Sequence, residues 1–206
     1  MKFAFLLYPG VEPIDLAAVG VVSMARRVMP QLACCTVAAT QAPSVLSNGL
    51  RVLPDHDFAG CPAVDAIIVP GGPGWPEAAA DPQVLAFLRA RASQSLLVSL
   101  CTGAMVLAAA GLLDGRTATT KREVTEAETA PLDLLASRHP AVRTRHALVV
   151  DAGPVVTGGG VSLCIDTMLH VLSTRVDAAR TAEVARILEY SAAADANRAR
   201  LPVIAT

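Results

Sequence analysis

The sequence predicts an α/β fold: an open, mostly parallel sheet with helices on both faces. Three observations carry the prediction. Short, nearly uncharged apolar runs such as Leu96–Leu100 alternate with longer stretches of helical periodicity. The runs end in glycine or proline turns. They also read as apolar throughout, as strands covered on both faces do, and do not alternate with polar residues. Of the 206 residues 53% are hydrophobic and only 3% aromatic, so Ala, Val, Leu and Ile must build the core. No linker, repeat or low-complexity segment divides the chain, and residues 1–206 are expected to form one domain.

Taken in order, Lys2–Tyr8 reads as the first strand, because Pro9, Gly10, Glu12 and Asp15 follow too soon for a signal peptide. Asp15–Met29 reads as a helix stopped by Pro30, Leu32–Ala39 as the second strand, and Val45–Pro54 as a β-hairpin around Asn48-Gly49. Asp65–Pro70 is a buried strand running into Gly71-Gly72, and Asp81-Pro82 opens a helix over Asp81–Gln94. Leu96–Leu113 carries no charge, yet Ser99, Thr102 and two glycines interrupt it. It therefore reads as a strand, Leu96–Leu100, and a helix, Thr102–Leu112, and not as a membrane span. Arg116–Thr120 follows as a short strand and Glu123–Ser137 as one or two helices. Val142–Arg145, Leu148–Asp151 and Val155–Thr157 are further strands, and helices Val161–Ser173 and Asp177–Tyr190 close the chain.

The 17 basic and 18 acidic residues nearly cancel and form no Lys/Arg block, which argues against direct nucleic-acid binding. Five cysteines, odd in number and without C-x-x-C spacing, suit free thiols in a reducing compartment, so a cytoplasmic location is expected. His56, His139, His146 and His170 have no ligand spacing, and no phosphate-loop glycine pattern is present. Neither a metal nor another cofactor is expected.

Three turns share one plan, a buried strand ending in a glycine turn that opens a helix, and in such sheets these turns gather where ligands bind. In V-S-L-C-T-G-A, Cys101 precedes a helix N-terminus, where free N–H groups favour thiolate over thiol; the alternative is a small buried apolar residue. On this reading Cys101 is the most reactive of the five thiols. In I-V-P-G-G-P-G-W the N–H groups of Gly71 and Gly72 could hold developing negative charge, or the segment is ordinary turn chemistry. The same two readings apply to Gly159 and Gly160. Asp15 could exchange a proton at the reactive edge or cap the helix that follows it.

Together, Y-P-G-V-E-P-I-D-L, V-P-G-G-P-G and S-L-C-T-G-A-M-V-L-A-A-A-G-L-L-D-G-R-T-A-T-T resemble the ThiJ/PfpI superfamily of class I glutamine-amidotransferase-like proteins. T-G-G-G-V-S-L-C-I-D and the late L-E-Y extend the likeness over nearly the whole chain. It is nearest the branch holding isonitrile hydratases and the amino-terminal domains of AraC-type regulators. The resemblance implies a flavodoxin-like sheet, a homodimer, Cys101 as nucleophile, Asp15 as its acidic partner, a hydroxyl from Thr102 and a backbone donor site at Gly72. Two positions depart from the pattern: Lys121 stands where many relatives have histidine, and D-L-A-A-V-G replaces D-L-T-G-P. The expected activity is cysteine-dependent hydration or hydrolysis of a small molecule, isonitrile hydratase-like, through a covalent adduct at Cys101. The alternatives are a ligand-sensing domain related to AraC-type regulators, or a glyoxalase-like stress-response thiol protein.

Overall fold

The computed structural model describes residues 1–206. Its strands and helices are β1 (Lys2–Leu6), α1 (Ala17–Ala25), β2 (Ala33–Ala38), β3 (Ser44–Val45), β4 (Arg51–Val52), β5 (His56–Asp57), β6 (Ala66–Val69), α2 (Trp75–Ala80), α3 (Pro82–Arg91) and β7 (Leu96–Ser99). Then follow α4 (Gly103–Ala109), β8 (Thr117–Ala118), α5 (Pro131–Arg138), β9 (Arg143–Thr144), β10 (Val149–Asp151), β11 (Val155–Gly158), α6 (Cys164–Arg175), α7 (Ala178–Ile187), α8 (Ser191–Arg200) and β12 (Val203–Ala205). The main sheet runs β12-β10-β11-β7-β6-β1-β2-β5. Every pairing in it is parallel except β10 with β11. No helix is long and apolar enough to cross a membrane.

Strand periodicity divides the core into two layers. Ala4, Leu6, Ile67, Val69 and Leu97 face one side with Val84 and Phe87 of α3, Met105 and Leu107 of α4 and Leu135 of α5. Phe3, Phe5, Ala66, Ile68 and Val98 face the other with Val21 and Val22 of α1, Met168 and Leu172 of α6 and Val184 of α7. Phe5 is 1% exposed, and Phe5→Ala would cost about 3–5 kcal/mol. The chain leaves β1 toward β2 on one side and returns to β6 on the other. The carboxyl ends of β1 and β6 thus flank the point where the winding reverses, which is where open α/β sheets bind ligands.

Several elements differ from the sequence expectation. A 3-10 turn, Pro13–Leu16, precedes α1, so Asp15 lies outside that helix; the residue capping α1 is Leu16, which makes no side-chain bond. Of Glu123–Ser137 only Pro131 onward is helical: Ala130-Pro131 sets the start, and β-branched Val124, Thr125 and Thr129 precede it without apolar periodicity. The hairpin forms, but as a two-residue ribbon docked by Gly10 N–H to the Val45 carbonyl (2.8 Å). Helix α8 and edge strand β12 were not anticipated. Only Ala194 of α8 is buried, so that helix has no apolar stripe to read, and three-residue β12 is defined by its pairing with β10.

Candidate active site

The turns after β1, β6, β7 and β11 meet at one end of the sheet. Cys101 follows β7 with φ 49, a left-handed conformation that costs a residue bearing a Cβ roughly 1–2 kcal/mol. The elbow is clamped from both sides: Cys101 N–H donates to the Gly159 carbonyl (3.1 Å), and Thr120 Oγ1 donates to the Cys101 carbonyl (2.6 Å). Two glycines make room for it. A Cβ on Gly71 would meet the Thr102 nitrogen and lie 2.8 Å from Cys101 Cβ, and one on Gly160 would lie 2.8 Å from Cys101 Sγ.

Asp15 is fully buried behind this elbow. Its Oδ2 accepts from Gly71 N–H (2.6 Å), while Oδ1 is buried without a partner. It caps no helix; Glu12 does that for the 3-10 turn by accepting from Ile14 N–H (3.4 Å). Burial raises the Asp15 pKa to about 7, the Gly71 bond opposes it, and the Glu12 charge adds to the rise. Tyr8, whose hydroxyl donates to the Pro70 carbonyl (2.6 Å), is pushed well above its ordinary value by burial and by the nearby Asp15 and Cys101.

Burial works against the thiolate that a helix N-terminus favours. Burial first, then the charge of Asp15, pushes the Cys101 thiol far above its ordinary value; the Thr102 N–H and hydroxyl and Lys121 oppose this and lose. Helix α4 has only seven residues, and its N-terminal field does not offset the desolvation of a thiol that is 3% exposed. A second buried thiol, unanticipated, faces the same turn. Cys164 Sγ donates to the Ile14 carbonyl (3.5 Å), and burial and Asp15 push it up to about 12.

Thr102 Oγ1 accepts from Gly72 N–H (2.9 Å), so both N–H groups of the glycine pair are engaged, Gly71 with Asp15 and Gly72 with Thr102. Gly159 holds the elbow through its carbonyl and donates its N–H to Leu148 (3.0 Å), one step back from the sulfur. Cys101, Thr102 and Gly72 open onto a cavity of about 620 Å3. Its other walls include Glu12, Trp75, Lys121, Glu128, Pro131 and Arg138. Of these, Lys121 is visible in sequence as a departure from a pattern, and Trp75 as the only tryptophan, placed directly after a glycine-proline turn. Glu12 appears in sequence only as part of Y-P-G-V-E-P-I-D-L, and Glu128 and Arg138 come from a loop and a helix end with no sequence signal. No group of three His, Cys, Asp or Glu side chains is gathered closely enough to hold a metal ion.

Comparison with known proteins agrees with this fold. An isonitrile hydratase from Pseudomonas putida is 36% identical over 195 residues, 94% of this chain and 80% of the hydratase. The HTH-type transcriptional regulator GbdR of Pseudomonas aeruginosa is 32% identical over 146 residues, 70% of this chain but 37% of the regulator. A ThiJ/PfpI family protein from Pseudomonas syringae superposes with a TM-score of 0.80 at 29% identity, covering 92% of this chain and 75% of that one. Drosophila melanogaster DJ-1beta, at 20% identity and a TM-score of 0.78, shares the flavodoxin-like fold. Residues 1–174 match the DJ-1/PfpI family, and with the elbow cysteine in place the chain belongs to that family.

Proposed function

We propose that this protein hydrates small isonitriles to N-substituted formamides through a covalent adduct at Cys101. The observation that carries the reading is a cysteine held at φ 49 beside a ligand-sized cavity, electrostatically coupled to a buried carboxylate with one free oxygen. Because the thiol rests protonated, activation must come with the reaction. Asp15, poised near pH 7, takes the thiol proton as sulfur bonds to the terminal isonitrile carbon, then delivers that proton to the same carbon. The product is a thioformimidate. Water adds to its carbon, with Asp15 again the proton carrier and the Thr102 hydroxyl in the cavity wall, bonded to Gly72. Collapse expels the Cys101 sulfur, which regains a proton as the formamide leaves. Gly71, Gly72, Gly159 and Gly160 act by position: they fix Asp15, Thr102 and the elbow and leave space at the sulfur.

A panel of isonitriles, glyoxals, amides and peptides, run on the wild type and on Cys101→Ser, tests the reading. Formamide release by the wild type and none by Cys101→Ser is the expected result. Saturable isonitrile binding without turnover would instead favour a sensing domain. We further propose a homodimer, since Ile14, Val45, Leu50 and Leu53 are 44–68% exposed around the ribbon and first turn. Light scattering at micromolar concentration should give twice the chain mass of 21.3 kDa.

A further inference from the structure

The cavity wall carries two carboxylates and two cations, and of these four side chains only the carboxylates form hydrogen bonds. Glu12 accepts from Ile14 N–H (3.4 Å) and from Ser47 Oγ (3.1 Å), and Glu128 accepts from Thr125 N–H (3.1 Å). Like most of the 17 basic residues, Lys121 and Arg138 form no ion pair, although, after the Thr125 hydrogen bonds, the Lys121 charge helps to hold the nearby Glu128 carboxyl below its ordinary value. Arg138, an exposed residue, has its guanidinium 5.6 Å from the centroid of the Trp75 ring, an arrangement that leaves the N–H fork free. Lys121 stands deeper. The position a Cβ on Gly160 would take is 2.8 Å from Lys121 Cβ and 2.8 Å from Cys101 Sγ, so the lysine stem borders the nucleophile.

A neutral isonitrile would use neither cation. An anionic one would meet Lys121 beside the reacting sulfur and Arg138 on the rim, each with donors to spare and neither hydrogen-bonded to the Glu12 or Glu128 carboxylate. Resting on the hydratase reading, we propose that the substrate is an isonitrile bearing a carboxylate and that Lys121 and Arg138 form its anion subsite. Chain length selects between them: a carboxylate close to the isonitrile carbon meets Lys121, and one several bonds away meets Arg138.

Alkylation of Cys101 reads this subsite without requiring hydration. The sulfur bonds to the methylene carbon, iodide leaves, and the thiol proton passes to buffer. Two matched pairs of reagents are used, iodoacetate against iodoacetamide and iodoacetamidohexanoate against N-hexyl iodoacetamide, with labelling at Cys101 quantified by mass spectrometry. The anionic-to-neutral ratio in the folded protein should exceed that of the same thiol in urea by about fivefold and shrink in high salt. Lys121→Gln should lower the ratio for the short pair and Arg138→Gln for the long pair. Arg186→Gln, which changes net charge equally on distant α7, should lower neither. Ratios equal to the urea value, or lowered equally by Arg186→Gln, overturn the subsite. Turnover of neutral isonitriles alongside such ratios would overturn the subsite and leave the hydratase standing. Charge-selective alkylation with no isonitrile turned over would keep the subsite and remove the hydratase.

Discussion

Asp15 and Asp151 are both buried aspartates, 0% and 7% exposed, yet their surroundings drive them in opposite directions. Asp15 accepts one N–H bond, has a second oxygen without a partner, and sits near two thiols and Glu12 with no cation paired to it. Asp151, at the end of β10, accepts from Arg175 Nη2 (2.7 and 2.9 Å) and Gly153 N–H (3.1 Å) and pairs with His170 Nε2 (3.0 Å). Burial would raise both. At Asp151 the His170, Gly153 and Arg175 contacts outweigh it and hold the carboxyl below its usual range, whereas at Asp15 burial wins and the pKa climbs to about 7. Cationic and N–H partners keep Asp151 charged, whereas Asp15, with one N–H bond and no cation, holds its proton more readily.

The largest effect expected from this difference is in stability against pH. Folded Asp15 holds a proton that the unfolded chain has released above about pH 4. Its contribution is therefore full below that pH and lost as pH rises through 7. Asp15→Asn lacks this dependence. Urea unfolding of wild type and variant should diverge in the variant's favour by roughly 4 kcal/mol between pH 4 and pH 8. Parallel curves would make Asp15 an ordinary carboxylate.

Next in size is turnover. Asp15→Asn keeps the shape and the bond from Gly71 but cannot accept a proton, and the rate should fall about 100-fold or more on whichever substrate the panel identifies. Asp151→Asn should fall by no more than about threefold. Equal losses in the two variants would erase the distinction between them.

Stability then reverses the ranking. At neutral pH Asp151→Asn leaves Arg175 and His170 short of a partner and should cost about 2 kcal/mol, a fall in Tm of roughly 4–8 °C. The lowered carboxyl of Asp151 contributes only above the unfolded pKa, so this deficit should fade as pH falls below about 4. A deficit independent of pH would show that packing, not the ion pairs, was lost.

The smallest effect tests the thiol side of Asp15. Gly160→Ala would set a methyl 2.8 Å from Cys101 Sγ and from Lys121 Cβ. Iodoacetamide labelling of Cys101 should slow by about tenfold relative to that of half-buried Cys34, which competes more strongly in the variant than in the wild type. Unchanged relative labelling would mean that the sulfur is approached from another side.

What the sequence alone determined is the run of short apolar strands closed by glycine turns. That run sufficed for the parallel sheet, for β1, β6 and β7, and for placing Cys101 on an elbow between a strand and a helix, because each of these is written in contiguous residues. Tertiary structure decided the rest. Strand β12 exists because Val203–Ala205 finds an unpaired edge at β10, and no local pattern encodes a partner 50 residues away. Local sequence favours a helix cap for Asp15, whereas the 3-10 turn places its carboxylate on the Gly71 N–H. The upward push on the Cys101 thiol follows from burial and the nearby Asp15 charge, which work against the helix N-terminus that the sequence does reveal. Lys121, Arg138 and Trp75 share a cavity only because α2, α5 and the segment between β8 and α5 fold over the same strand ends. Covalent order fixes periodicity and turn chemistry, while proton affinity and pocket charge depend on distances across the chain that only packing sets.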